Sequence, residues 1–128
     1  MTKLIVSVDR PNLSQRKLQA RREDFEYLLA RLNVRYQICE GVWEGVREQD
    51  YMITLEGSKH YRKIIEVAHD RFDQDAVLKV SGYGGATLIF PGRIEEFCGE
   101  LVQVDEVPED KCYTQRFSDG AIFTIRNL

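Results

Sequence analysis

The sequence predicts an α+β fold in which two helices pack on one face of a mostly antiparallel sheet, a ferredoxin-like arrangement with extra strands. Two stretches of helical periodicity are interspersed with short β-branched or alternating segments, in the order β-α-β-β-α-β-β-β-β. A glycine-rich turn in the second half is typical of a β-hairpin, which joins neighbouring antiparallel strands. No repeat or linker divides the 128 residues, so we expect a single domain over residues 1–128.

The first strand and the first helix are predicted by an apolar run followed by a break. Lys3–Val8 is rich in β-branched residues, which predicts a central strand. Pro11 ends this strand, and Asn12 or Ser14 can cap a helix by accepting hydrogen bonds from its free N–H groups. Apolar residues then recur every three or four positions up to Asn33. They form one predicted helix face: Leu18, Phe25, Leu28, Leu29 and Leu32.

Two further strands and a second helix follow. Val34–Val42 and Gln49–Leu55 are predicted strands, joined through a turn that Gly41 and Gly45 bracket. Ser58 is the predicted N-cap of the second helix. The apolar residues of that helix repeat at helical spacing and are Tyr61, Ile64, Ile65, Ala68 and Phe72.

The second half of the chain is predicted to consist mainly of β-strands. Ala76–Val80 and Ala86–Phe90 flank the Gly82–Gly85 turn, which predicts a hairpin. Cys98–Val104 and Ala121–Arg126 are two more predicted strands, separated by a polar loop.

Charge and composition limit the classes of function. The formal net charge is −3, from 18 basic and 21 acidic residues, which argues against a nucleic-acid partner and favours a small neutral or cationic ligand. The three cysteines lack metal-ligand spacing, so we expect no metal, no cofactor and no disulfide. No apolar run approaches the roughly 20 residues of a membrane span, and no signal peptide is recognised, which predicts a cytoplasmic protein without a membrane partner.

Carboxylates are the most informative polar residues, because familiar nucleophile, phosphate-binding and metal motifs are missing from the sequence. Glu40, Glu44 and Glu48 surround the first predicted hairpin turn, where the residues alone favour a solvated tip. Gln74 and Asp75 lie between the second helix and the next strand. An amide and a carboxylate can together hold two hydroxyl groups or an amine edge, although the pair can also simply end the helix.

Aromatic residues near the first group of carboxylates offer π-faces that suit a cation. They are Tyr36, Trp43 and Tyr51. Packing in the core is the alternative role of each ring, and their spacing does not decide between the two.

Several short segments, taken in their order along the chain, point to a known family. They are Leu4-Ile5-Val6-Ser7-Val8, Arg10, Asn12-Leu13, Arg47-Glu48, Ala68 and Gln74-Asp75-Ala76-Val77-Leu78-Lys79-Val80. In this order the chain resembles the small phage-encoded S-adenosylmethionine (SAM) lyases, long described as SAM hydrolases. The likeness covers residues 4–108, and its most distinctive part is the Gln-acid pair that leads into an apolar strand.

The resemblance implies an activity and a set of site residues. SAM lyases cleave SAM to 5′-methylthioadenosine and L-homoserine lactone, and the phage enzymes thereby deprive restriction and methylation enzymes of SAM. Carried over by position, Glu48 holds the substrate amino group, while Gln74 and Asp75 contact the adenosine; the family often has Glu in place of Asp75. Tyr36 is the candidate for the tyrosine near the sulfonium, and Glu40 is a further substrate-binding candidate.

The resemblance also implies an assembly and a chemistry. The family forms trimers with the substrate between subunits, which implies a homotrimer in the host cytoplasm. A sulfonium is a good leaving group, and the substrate carries its own carboxylate nucleophile. Folding the substrate so that this carboxylate reaches Cγ makes the reaction unimolecular, and such orientation is worth about 7–11 kcal/mol.

Two alternative interpretations stay open. The substrate of the same cleavage can be a conjugate of SAM with a nucleotide, for which Arg10, Arg16 and Arg47 are either contacts or solvated side chains. The chain can instead be a non-catalytic module that binds a nucleotide or a host enzyme and inhibits it. The acidic composition and the absence of a recognisable nucleophile or P-loop are consistent with that class.

Overall fold

Eight strands and two helices form the regular structure of the described residues. The computed structural model describes residues 1–43, 45–57, 59–110 and 112–127, and within them eight antiparallel strands close into a barrel that two helices cover from outside. In chain order the elements are β1 Thr2–Ser7, α1 Gln15–Leu32, β2 Arg35–Trp43, β3 Val46–Leu55, α2 Tyr61–Asp70, β4 Val77–Val80, β5 Gly85–Phe90, β6 Ile94–Val104, β7 Tyr113–Arg116 and β8 Ile122–Arg126.

The predicted ferredoxin-like sheet with helices on one face is wrong, because the sheet is closed. Its strands follow the order β1-β3-β2-β7-β8-β6-β5-β4, and β4 pairs again with β1. Closure depends on β7, which the sequence pattern assigns to a polar loop. Cys39 of β2 pairs with Arg116 of β7, and Thr114 of β7 pairs with Phe123 of β8. The β2–β7 pairing joins distant parts of the chain, so local periodicity does not predict it.

β1 and β3 are buried on both faces, which positions the helices on one side and a cavity on the other. Their outward-facing residues pack against α1 and α2 and form the larger hydrophobic core. The strand side of this core includes Leu4, Val6, Val8, Tyr51, Ile53 and Leu55. The helix side includes Phe25, Leu29, Ile64, Ile65, Ala68 and Phe72. A smaller core lies inside the barrel and contains Ile5, Cys39, Met52 and Val80. The apolar run in β1 is therefore uninterrupted because alternate residues face two different cores.

The helix boundaries largely follow the predicted signals. The Ser14 side chain accepts a hydrogen bond from the Lys17 N–H at 3.2 Å, and Asn33 ends α1 in a left-handed conformation, so both predicted ends are confirmed. His60 immediately precedes α2, and the predicted cap Ser58 lies outside the described residues. Phe72 is buried as predicted but follows the last residue of α2.

None of the described helices is both long and apolar enough to cross a bilayer.

The two predicted hairpins differ in how closely the structure follows the prediction. The β4–β5 hairpin around the glycine-rich turn is confirmed. In the β2–β3 hairpin the strands run further than expected, and Gly41 lies inside β2 opposite Glu48 of β3 instead of in the turn. The interpretation of Glu40 and Glu48 as a solvated tip is therefore wrong, since both are strand residues of intermediate burial; Glu44 lies outside the described residues.

Candidate functional site

One end of the barrel contains a cavity of about 620 Å³, within the range of small-molecule sites. The C-terminal end of β1, the N-terminal end of β3 and the segment between α2 and β4 form its acidic side. Strands β6 to β8 form much of its opposite wall. The acidic side includes Ser7, Asp9, Glu48, Asp50, Gln74 and Asp75.

Glu48 faces the inside of the barrel, because it alternates with the outward-facing residues of β3. Burial raises the pKa of Glu48 above its usual value, and the negative charge of Asp9 raises it further. Hydrogen bonds from the carboxyl group of Asp50 and the hydroxyl group of Ser7 oppose this effect, because they stabilise the ionised carboxylate. Glu48 is thus a partly desolvated carboxylate with two donors beside it.

Asp50 lies two residues further along β3 and therefore on the same face as Glu48. Its residue is only 5% exposed, and burial holds the pKa of Asp50 well above its usual value. The negative charge of Glu48 and the hydrogen bond to it act in the same direction. Gly41 on the adjacent strand makes room for this group, because a Cβ at that position would overlap the Asp50 carboxyl group.

Asp9 joins three elements at the edge of the cavity. Arg22 of α1 donates to its two carboxylate oxygens at 3.0 and 2.7 Å, and the N–H of Gln49 in β3 donates to one of the same oxygens at 2.9 Å. This bidentate pair fixes the end of β1 against α1 and beside the residue that follows Glu48. The backbone carbonyl of Asp9 accepts a further hydrogen bond, from Gln74.

Gln74 is held in one orientation by the backbone. Its amide nitrogen donates to the carbonyl oxygens of Asp9 at 2.9 Å and of Phe72 at 3.1 Å. Both N–H groups are thereby used, so the side chain can offer only its carbonyl oxygen to a ligand. The neighbouring Asp75 is 92% exposed in its side chain, and its carboxylate lies 3.6 Å from the guanidinium of Arg10.

The structure brings together three of the five predicted site residues. Glu48, Gln74 and Asp75 line the same cavity within one chain. Glu40 instead lines an adjoining cavity of about 440 Å³ and forms an ion pair with Arg47. Tyr36 is not among the described residues that line either cavity. Its ring packs edge-to-face on Tyr51 with centroids 5.6 Å apart, on the helix-covered face of the barrel.

Other residues of the site were missed by sequence reasoning. Ser7 and Asp50 line the cavity although neither was predicted to do so. The signal for Asp50 is its spacing of two from Glu48, which places both on one face of a strand. Of the π-faces considered, Trp43 lines the cavity, whereas Tyr51 is fully buried and donates its hydroxyl to Glu26 at 2.7 Å. The far wall adds the ring of Tyr113, for which the sequence has no signal.

The arrangement is suited to binding a cationic small molecule. Carboxylates lie on one side of the cavity and aromatic rings on its rim and far wall, and both attract positive charge. Among residues 1–43, 45–57, 59–110 and 112–127, no three His, Cys, Asp or Glu side chains are grouped so as to hold a metal ion.

Comparison with known proteins identifies a family for this chain. The sequence matches the S-adenosylmethionine lyase family over residues 4–126, which is nearly the full length of the chain. No curated protein matches it. The family predicted from the order of the short segments is therefore confirmed, and the match extends beyond the predicted limit of residue 108 to include β7 and β8. The chain belongs to the S-adenosylmethionine lyase family.

Proposed function

We propose that the protein cleaves SAM to 5′-methylthioadenosine and L-homoserine lactone. The substrate's own carboxylate attacks Cγ of its methionine part, and a C–O bond closes the lactone. The bond between Cγ and the sulfonium breaks, and its electron pair goes to sulfur, which leaves neutral methylthioadenosine. Membership of the family supports SAM as substrate. The observation that carries the mechanism is the partly buried carboxylate of Glu48 in one cavity with Gln74 and Asp75.

Glu48 anchors the substrate ammonium in this proposal. Its carboxylate faces the cavity, and Ser7 and Asp50 stabilise its ionised form. An ammonium group donates charge-assisted hydrogen bonds to such a carboxylate, and these are stronger than neutral hydrogen bonds. The partial exclusion of water strengthens the interaction further. Fixing the ammonium restricts the methionine arm, so that its carboxylate can turn towards Cγ.

Gln74 and Asp75 hold the adenosine. Because the amide nitrogen of Gln74 is bound to the backbone, its oxygen accepts a hydrogen bond from an N–H or O–H group of the substrate. Asp75 is exposed at the same cavity, and its carboxylate can accept hydrogen bonds from the two ribose hydroxyls. Adenosine at this end and ammonium at Glu48 leave the sulfonium between them.

In this proposal the sulfonium lies near the rings of Trp43 and Tyr113 and not near Tyr36. Trp43 and Tyr113 line the cavity that contains Glu48, and a cation is attracted to the face of either ring. This contact weakens as the charge on sulfur disappears, so its contribution is to binding and orientation. The reaction then proceeds because the attacking carboxylate and Cγ are held together.

The first experiment is incubation of the purified protein with SAM in water enriched in oxygen-18, followed by mass spectrometry. We expect methylthioadenosine and homoserine lactone as the first products. Any homoserine that forms later comes from attack of water on the lactone carbonyl, so its hydroxyl oxygen is unlabelled. A labelled hydroxyl would show that water attacks Cγ, and the reaction would then be hydrolysis. Binding of SAM without turnover would favour the non-catalytic module instead.

Glu48→Gln tests the role of Glu48 as the ammonium anchor, because this change keeps the shape of the side chain and removes its charge. We expect kcat/KM to fall by at least about 30-fold, because the ammonium loses a charged partner in a partly desolvated site. The control is Glu95→Gln, an exposed residue on β6, which should leave the rate unchanged. Unchanged turnover in Glu48→Gln would remove Glu48 from the mechanism.

A conjugate of SAM with a nucleotide is the second candidate substrate, and the adjoining cavity favours it. This cavity shares Asp9 and Glu48 with the main cavity, and both Arg10 and Arg47 line it. A phosphate attached to SAM would meet guanidinium groups there, and it would add a second anionic group to the single carboxylate that SAM itself carries. Offering both substrates in one reaction decides between them through the ratio of their kcat/KM values.

The proposal includes an assembly and a biological role. Trp43 and Val46 are exposed apolar residues where the cavity opens, and a second copy of the chain can cover them. A homotrimer with the substrate at subunit boundaries agrees with that surface. In the cytoplasm of an infected cell, such an enzyme would deplete SAM and so protect phage DNA from SAM-dependent restriction.

A further inference from the structure

Asp50 is a buried carboxyl group that makes no contact with the substrate in the proposed mechanism. It lies on β3 between Ser7 of β1 and Cys39 of β2, its partners in the two adjacent ladders. The ionisable groups that act on it are Glu48 on its own strand and Asp9 just after β1, both of them carboxyl groups. Cys39 faces it from β2 as a buried thiol, whose pKa is raised to about 11, chiefly by burial. The other ionisable residues that line the same cavity are Arg10, Asp75, Cys98, Asp110, Cys112 and Tyr113.

Two carboxyl groups joined by a hydrogen bond share one proton, because ionisation of both places like charges side by side. The proton stays on the group that is harder to hydrate. Asp50 is 5% exposed, whereas Glu48 is of intermediate burial and lies nearer the open end of the barrel. Gly41 packs directly over the Asp50 carboxyl group and leaves no space for another side chain. The geometry therefore makes Asp50 the donor and Glu48 the acceptor.

We propose that Asp50 is a positioning residue for Glu48: its carboxyl group keeps its proton, donates it in a hydrogen bond to Glu48, and so directs a single carboxylate into the cavity. The effect on catalysis rests on the proposed function of Glu48 as the ammonium anchor. The hydrogen bond has two consequences for Glu48. It fixes the orientation of the carboxylate, and it keeps that carboxylate ionised although burial favours its neutral form.

Asp50→Ala and Asp50→Asn test the hydrogen bond. Removing the donor in Asp50→Ala should lower kcat/KM by about 10- to 100-fold, the range for a hydrogen bond to a charged group. Asn presents an N–H donor in nearly the same shape, so Asp50→Asn should recover most of that loss. Asp70→Ala, an exposed carboxylate at the end of α2, is the control and should leave the rate unchanged. Equal losses in Asp50→Ala and Asp50→Asn would overturn the proposal.

The pH profile separates a proton donor from a negative charge at position 50. If Asp50 donates to Glu48, its removal raises the pKa of Glu48, and the acidic limb of kcat/KM in Asp50→Ala moves to higher pH. If Asp50 is ionised, its removal takes away a repelling charge, and the limb moves to lower pH. A limb that stays in place or moves to lower pH would overturn the proposal.

The protonation of Asp50 can also be measured without turnover. Carbon-13 resonances of the aspartate carboxyl groups in the unliganded protein, assigned with the Asp50→Asn variant, report protonation directly. We expect Asp50 to remain protonated at a pH at which an ordinary aspartate is ionised. An ionised Asp50 at that pH would overturn the inference even in an enzyme that cleaves SAM. A protonated Asp50 in a protein that does not cleave SAM would support the proton assignment and count against the proposed function alone.

Discussion

Gly41 determines how closely β2 can approach the carboxyl pair. It is buried opposite Glu48, and the space where its Cβ would lie is occupied by the carboxyl group of Asp50. A strand interior normally disfavours glycine, so its presence has a steric explanation here. The glycine allows a polar group to sit in the barrel without displacing the adjacent strand.

Gly41→Ala should destabilise the protein by about 1–3 kcal/mol, because the added methyl group overlaps Asp50 in a packed site. Urea unfolding measures this change. Gly82→Ala is the control, since Gly82 is exposed and the nearest atoms belong to the terminal residue Met1. The penalty should be smaller when Gly41→Ala is combined with Asp50→Ala, which removes the overlapping group. Equal penalties in both backgrounds would contradict the steric account.

Single side chains of the site differ in how far the sequence could predict them. Glu48, Gln74 and Asp75 could be proposed from the resemblance, and as substrate contacts they stay predictions. Asp50 could have been found, because alternation places it on the same face as Glu48. The close approach of Gly41 could not, since it depends on the register of β2 against β3. Tyr36 is the candidate for the tyrosine near the sulfonium, but alternation places it on the opposite face of the sheet.

The ion pair between Asp9 and Arg22 ties α1 to the two strands that carry the site. Their side chains are 9% and 20% exposed, and the same Asp9 carboxylate accepts from the backbone of Gln49 in β3. α1 is thereby connected to the residue next to Glu48. A helix on the outside of the barrel thus helps to determine the geometry inside it.

Arg22→Met should lower stability by about 1–3 kcal/mol and also raise the KM for SAM. Without its partner, Asp9 repels Glu48 more strongly and raises the pKa of Glu48, so the acidic limb of kcat/KM should move to higher pH. Arg71→Met is the matched control, because Arg71 pairs with Asp24 on the surface, where such pairs contribute little. A loss of stability with an unchanged pH profile would show that the pair has a structural role only.

The secondary-structure elements were predicted where their signals are local. α1 was delimited by its cap residues and its apolar period, and the β4–β5 hairpin by its glycine-rich turn. β7 was missed because Tyr113–Arg116 is four residues long, and all four residues are of intermediate burial without clear alternation. That short strand bridges β2 and β8. A prediction without β7 therefore gives an open sheet instead of a closed barrel.

The complete barrel leaves exposed apolar residues where the cavity opens, and the proposed trimer would cover them. Light scattering should give a mass of three times the 14.9 kDa chain. Val46→Glu places a charge at this opening and should reduce both the mass of the assembly and the rate of SAM cleavage. Tyr83→Glu, in the exposed β4–β5 turn, should change neither. A fully active monomer would contradict the proposal that the sites need neighbouring subunits.

The strands of the barrel differ in how much they pack against the helices, and this difference has a consequence for enzyme engineering. The core beneath the helices takes its strand residues from the part of the chain that contains β1 to β5, whereas Leu101 and Phe123 of β6 and β8 pack against the smaller inner core. Substitutions in β1 or β3 therefore alter the attachment of the helices together with the cavity. Libraries intended to change substrate preference should target the cavity-facing residues of β6 to β8, because substitutions there leave the attachment of the helices unchanged.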